Sequence, residues 1–149
     1  MSAPNRGKEA EARFFAVNAA AIEQGLFPAW IVGVEKSTKS EDTKGVDYWF
    51  RTVDTDRLPL DVKCSRNAAI NKRKQLRRTG TWKRQKRHYI RVVLVTVDTS
   101  DEAIVASTIR NLEIARRRWL KERQEKQQAR ITRLLRRFAS VDQSPMASL

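Results

Sequence analysis

The chain has 149 residues, with 31 Lys and Arg against 17 Asp and Glu, for a formal net charge of +14. Its length suits one domain, and 40% apolar residues, including four Trp and five Phe, suffice for a modest core and argue against wholesale disorder. No apolar run nears the ~20 residues of a membrane span, the N-terminal MSAPNRGKEAEARFF lacks the order of a signal peptide, and a lone Cys64 with a lone His88 excludes an internal disulfide and a one-chain Cys/His zinc site.

From Lys8 to Gln24, the residues Ala12, Phe15, Ala16, Ala19 and Ile22 recur at three- and four-residue spacing and Gly25 supplies a stop, which predicts an amphipathic helix. A first strand is expected at Ala29–Val34, ahead of the polar loop EKSTKSEDTKG. Val46–Val53 alternates, with Val46, Tyr48 and Phe50 on one face and Asp47, Trp49 and Arg51 on the other. A turn at Asp54–Arg57 leads to a third strand, Leu60–Ser65, in which Leu60, Val62 and Cys64 share the apolar face and Asp61 and Lys63 the opposite one. RNAAINKRKQLRR (66–78) reads as a short basic helix ending near Gly80, followed by the loop TWKRQKRH and a fourth strand at Tyr89–Val97. The Val92–Val97 run in that strand predicts burial on both faces. Ser100 is a plausible N-cap for a helix reaching about Ala139. Ile104, Ile109, Leu112, Ala115 and Trp119 suit packing on the sheet, whereas KERQEKQQ (121–128) has no apolar residue. Ile131, Leu134, Leu135 and Phe138 then restore a stripe flanked by arginines. The expected organisation is a core over 1–100, a helical extension over 101–140 and a disordered tail over 141–149.

The charge is localised. Residues 1–65 carry nine Lys and Arg against ten Asp and Glu, residues 66–100 carry eleven against one, and residues 101–149 carry eleven against six. Near-balance followed by excess suits a cation site beside a polyanion surface, and nucleic acid is the natural polyanion. If the second and third strands form a hairpin with aligned polar faces, Asp47 and Asp61 approach one another. Two such carboxylates repel, which raises a pKa or calls for a divalent cation held by oxygen ligands. Lys63, one pleat away, is placed to position water or to offset charge on a phosphoryl group.

These residues resemble the motif of the PD-(D/E)xK nucleases, a superfamily that includes restriction endonucleases, Holliday junction resolvases and transposase-associated endonucleases. The matching residues are Gly7-Lys8-Glu9-Ala10-Glu11 on the first helix, Gly45-Val46-Asp47 opening the second strand, and Leu60-Asp61-Val62-Lys63 in the third. The resemblance spans roughly residues 7–98. It implies an α/β fold with a restriction-endonuclease-like αβββαβ core and a central mixed four-stranded sheet; the long basic C-terminal helix lies outside the resemblance. The resemblance further implies Mg²⁺ or Mn²⁺ held by Asp47, Asp61 and the Val62 backbone carbonyl, with Lys63 as the catalytic lysine. Glu11 would be the helix carboxylate reaching the metal directly or through water, with Glu9 competing for that role. Valine stands where the motif has proline, and Asp61 stands where many members have Glu.

The implied activity is metal-dependent endonucleolytic hydrolysis of DNA, of junction-resolvase, mobile-element, homing or repair type, by a cytoplasmic, nucleoid-associated protein. Candidate DNA contacts are Arg66, Lys72, Arg73, Lys74, Arg77 and Arg78 on the basic helix, and Trp82, Lys83, Arg84, Lys86 and Arg87 in the following loop. Arg116, Arg117, Lys121, Arg130, Arg133 and Arg137 join them on the last helix. The Ile131–Phe138 stripe offers an alternative use for that helix, as a homodimer seam rimmed by arginines. Glu35 is a further possible carboxylate of the site or a solvated strand end, and Ser65 suits either a phosphate contact or an N-cap. Trp30, Trp49 and Trp119 are assigned to packing. The contrasting readings are a non-catalytic DNA- or RNA-binding protein that keeps the fold, and a C-terminal helix serving a membrane surface or a partner.

Overall fold

A computed structural model describes residues 5–40, 45–79 and 90–142. The elements are α1 (Asn5–Glu23), β1 (Ile31–Lys36), β2 (Tyr48–Thr52), β3 (Leu58–Lys63), α2 (Arg66–Thr79), β4 (Arg91–Leu94) and α3 (Asp101–Asp142). The strands form one mixed sheet in the order β1-β2-β3-β4, antiparallel except for the β3–β4 pair. The parallel pair follows from the connection, because α2 carries the chain back to the starting end of β3 before β4 begins.

The sheet has two distinct faces. Tyr48, Phe50, Leu58, Leu60, Val62, Val93 and Val95 form one of them and pack with Phe14 of α1 and Ile104, Leu112 and Ala115 of α3. On this face Phe14 meets Tyr48 at 5.3 Å and Phe50 edge-on at 6.2 Å. Asp47, Asp61 and Lys63 belong to the other face, against which α2 lies. The period of two that separates apolar from charged side chains in β2 and β3 is therefore realised as core on one side and site on the other.

The expectations for α1, β1 and β4 need correction. The buried stripe of α1 is Ala10, Phe14, Asn18 and Ala21, almost opposite the predicted one, and Ala12, Phe15 and Ala16 are exposed. The helix is apolar on both sides, so spacing alone did not select a face, and polar Asn18 disguised the correct one. Its amide is satisfied by donation to the Phe14 carbonyl at 3.0 Å and to Thr108 Oγ1 of α3 at 3.1 Å. The first strand begins at Ile31, two residues later than expected, because Ala29 and Trp30 form a turn closed by Ile31 N–H donating to Pro28 O. The β4 ladder is only four residues long, and although Val92, Val93 and Val95 are buried, Val97 is open to solvent.

Local signals set the element ends. Gly25 terminates α1 with φ 74°, a conformation that costs other residues more. Ser100 caps α3 through its hydroxyl on the Ala103 N–H at 3.1 Å, and Asp101 and Glu102 complement the helix dipole. Arg13 of α1 fastens this corner by donating to Thr96 O, Thr99 O and Asp101. At 42 residues, α3 is about 63 Å long by its rise per residue, so it outruns the sheet it packs on. It also continues through positions 141 and 142, which the sequence reading gave to the tail; positions 143–149 lie outside the described residues. Ile131, Leu134, Leu135 and Phe138 are all exposed on the overhang. Among the described residues, no helix is long and apolar enough to cross a membrane.

Candidate metal and phosphodiester site

The β2–β3 register brings the two aspartates together. Tyr48 pairs with Leu60 and Phe50 with Leu58, so one further step along the register sets Asp47 opposite Asp61. Asp47 N–H donates to Leu60 O at 3.1 Å, and its own carboxylate accepts the Val62 N–H at 2.7 Å. Asp61 is only 2% exposed, which rules out a half-exposed surface ion pair of an ordinary strand. Lys63 Nζ stands 3.4 Å from Asp61 Oδ2, and Lys72 Nζ reaches the same oxygen from α2 at 3.8 Å. That oxygen makes no hydrogen bond with a described residue.

The Asp47 carboxyl lies well above the ordinary carboxylate range. Burial is the largest cause, the hydrogen-bonded and charged Asp61 carboxyl adds to it, the Val62 N–H opposes it, and Glu11 contributes a further like charge. Together they push the Asp47 carboxyl up to about 9. Glu11 of α1 is thus near enough to influence the pair, while Glu9 is exposed, so the structure favours Glu11 as the helix carboxylate. Tyr48 fixes this part of α1 by donating to the Glu11 backbone carbonyl at 2.8 Å. Among the described residues no three His, Cys, Asp or Glu side chains form a group that could hold a metal ion. A cation would rest on Asp47 and Asp61, with Glu11 as a nearby charge.

Two adjacent buried carboxyls, one with an oxygen that makes no hydrogen bond to a described residue, suit a hard divalent cation. The ammonium groups of Lys63 and Lys72 supply the compensating charge meanwhile. Lys72 was expected among the DNA contacts of the basic helix, either assisting at the phosphate or solvated. Its side chain is instead mostly buried and belongs to the site. Ala69, Lys72 and Leu76 lie at i, i+3 and i+7 on the inward face of α2, a spacing that was visible in the sequence. Gly45 makes room for it: the backbone there has φ 89°, and a Cβ would come within 2.1 Å of Lys72 Nζ. Gly45→Ala is accordingly expected to lower stability by about 1–2 kcal/mol from the backbone conformation and to turn Lys72 away from Asp61. Thermal melting checks the first effect, and Lys72 amine chemical shifts check the second.

The other residues sort by position. Arg66, Arg73, Lys74, Arg77 and Arg78 are exposed along α2, as are Arg117, Lys121, Arg130, Arg133 and Arg137 along α3. Arg116 is engaged elsewhere: its Nε donates to Asp54 at 3.1 and 3.2 Å, its Nη2 also bonds that carboxylate, and its guanidinium lies over Trp30 at 4.8 Å. The fork holds the Asp54 carboxyl below its ordinary range. Glu35 is not a site ligand, since it pairs with Arg51 across the β1–β2 ladder at 3.1 Å. Ser65 is the N-cap of α2, accepting the Ala68 N–H at 3.2 Å. Trp82, Lys83, Arg84, Lys86, Arg87 and His88 lie outside the described residues. Comparison of the chain with family models, curated proteins and solved structures finds no match.

Proposed function

We propose that this protein is a metal-dependent endonuclease of the restriction-endonuclease-like type, hydrolysing phosphodiester bonds in duplex or branched DNA. The observation that supports it best is the buried pairing of Asp47 with Asp61 beneath two lysines, on the sheet face that the core does not use. Asp47, Asp61 and the Val62 carbonyl would hold Mg²⁺ or Mn²⁺. When bound, such an ion supplies Lewis acidity and a lowered pKa for its water. The Val62 N–H keeps Asp47 aimed at its partner, which limits the reorganisation required of the site. Lys63 and Lys72, relieved of neutralising Asp61, offset charge accumulating on the phosphate oxygens as the attacking water's oxygen bonds to phosphorus and the ester oxygen departs. The exposed arginines of α2 hold the strand.

Cleaving both strands of a duplex requires two such sites, and the overhanging α3 stripe is proposed as the homodimer seam. Leu134→Glu with Leu135→Glu is expected to convert a dimer into a monomer in sedimentation experiments while shifting core stability by no more than about 0.5 kcal/mol. A monomeric wild type at tens of micromolar would contradict the seam. The activity itself is tested by incubating supercoiled plasmid, linear duplex and four-way-junction DNA with the protein and Mg²⁺ or Mn²⁺. Strand cleavage abolished by EDTA is expected. Binding without cleavage under either ion would leave a non-catalytic nucleic-acid-binding protein.

A further inference from the structure

A second charged feature lies at the open edge of the sheet. β4 is the terminal strand, and the space beside it, between α2 and α3, is a cavity of about 710 Å³. Arg73 and Arg77 enter it from α2, Arg91 from β4, and Arg118 and Lys121 from α3. Two of these arginines are held by neutral acceptors. Arg73 donates to the Val92 carbonyl at 3.2 Å, and Arg91 Nε donates to Asn111 Oδ1 at 3.0 Å. Asn111 is itself oriented by donating to Ser107 O at 2.8 Å.

Like charges gathered in a groove and anchored through neutral groups are unfavourable until an anion arrives. Burial and the charges of Arg118 and Arg73 lower the pKa of Arg91, so it experiences the other two as neighbours. Among the described residues, the acids lining the groove are Glu122 and Glu125, near the middle of α3. Glu122 is four residues, about 6 Å, and Glu125 seven residues, about 10 Å, beyond Arg118, so both acids stand on the outer side of that arginine, away from Arg73 and Arg91. The inner end is one strand away from the two-carboxylate site, since Arg73 donates to the carbonyl of Val92, the β4 partner of Asp61.

We propose that this β4-edge groove is a phosphate-binding subsite for a single nucleic-acid backbone, with Arg73, Arg91 and Arg118 contacting phosphates next to those in the metal site. The inference rests on the reading of this protein as acting on DNA, and it assigns a specific place to Arg91 and Arg118, which lie within the basic runs 66–91 and 116–137 but are not among the individual DNA contacts expected from the sequence. Planar guanidinium groups match phosphate oxygens in paired hydrogen bonds, and three of them from three elements define a path rather than a diffuse patch.

The test is fluorescence-anisotropy binding of single-stranded and duplex oligonucleotides in EDTA, across a salt series, for the wild type, Arg91→Gln, Arg118→Gln and Arg110→Gln. Arg110 is exposed on α3 outside the groove and serves as an equal-charge control. Arg91→Gln and Arg118→Gln should each weaken binding roughly tenfold and reduce the log–log salt slope by about 0.7 to 0.9, while Arg110→Gln does less. Equal losses in all three variants, or none, would overturn the subsite. So would displacement of the oligonucleotide by micromolar inorganic phosphate or free nucleotide, which would assign the groove to a small phosphorylated ligand. If Arg91→Gln fails to fold, solvent-exposed Arg118 decides the matter, with Arg91→Lys as the charge-retaining variant. Because EDTA removes cleavage from the measurement, loss of the subsite and loss of the nuclease reading are separate results.

Discussion

Asp47→Asn is expected to abolish Mg²⁺-dependent cleavage, a loss of roughly a thousandfold or more, while making the metal-free protein more stable above neutral pH. Asparagine reproduces the protonated acid: its amide can donate to Asp61 while its oxygen keeps the Val62 N–H. The sign of the pH effect follows from the raised pKa. An unfolded aspartate releases its proton near 3.8, whereas folded Asp47 retains its proton to about 9. The stability that this proton contributes is complete below 3.8 and is lost progressively as pH rises through about 9. The wild type should therefore melt at lower temperature at pH 8.5 than at pH 5, and Asp47→Asn should flatten that slope. The same proton opposes the cation, so apparent Mg²⁺ affinity should increase with pH over the neutral to alkaline range and binding should release a proton into a weakly buffered solution.

Asp61→Ala is expected to abolish cleavage equally but to change stability in the opposite direction. Asp61 is the counterion of two ammonium groups, one of them only 14% exposed. Removing it leaves Lys72 unpaired under α2, at a cost of about 1–3 kcal/mol; Lys63, a third exposed, can turn into water. Two substitutions of neighbouring aspartates would thus share one catalytic phenotype and differ in the sign of their effect on melting. Paired thermal melts at pH 8 read this directly. A symmetrical loss of stability would mean that the proton is not held by Asp47.

Much of this site was legible in the sequence because strands have a period of two. Val46-Asp47-Tyr48 and Leu60-Asp61-Val62-Lys63 each place charges opposite apolar residues, and the short Asp54–Arg57 turn favours a hairpin, which suffices to bring Asp47 to Asp61. The caps at Ser65 and Ser100 were local and equally visible, as was the change in α3 from a core-facing stripe to solvated KERQEKQQ. What could not be read depended on how elements dock. The face of α1 was ambiguous because apolar residues surround the helix, and the inward turn of Lys72 required knowing that α2 covers the Asp61 face. The pairing of Arg116 with Asp54 joins residues 62 positions apart, so it has no local signature. The β4-edge groove exists only once a parallel edge strand has been set between two helices. Charge counting found the basic segments, but topology separates arginines that share a groove from those that share only a region of sequence.

The Asp47–Asp61 pair with Lys63 is proposed as a phosphodiesterase centre. Its most direct test is a time course of Mg²⁺-dependent nicking of supercoiled plasmid by the wild type, Asp61→Ala and Lys63→Ala. Cleavage by the wild type, lost in both variants while their DNA binding persists, is the predicted result. Cleavage of the same strength in all three would contradict it and place the chemistry elsewhere on the molecule.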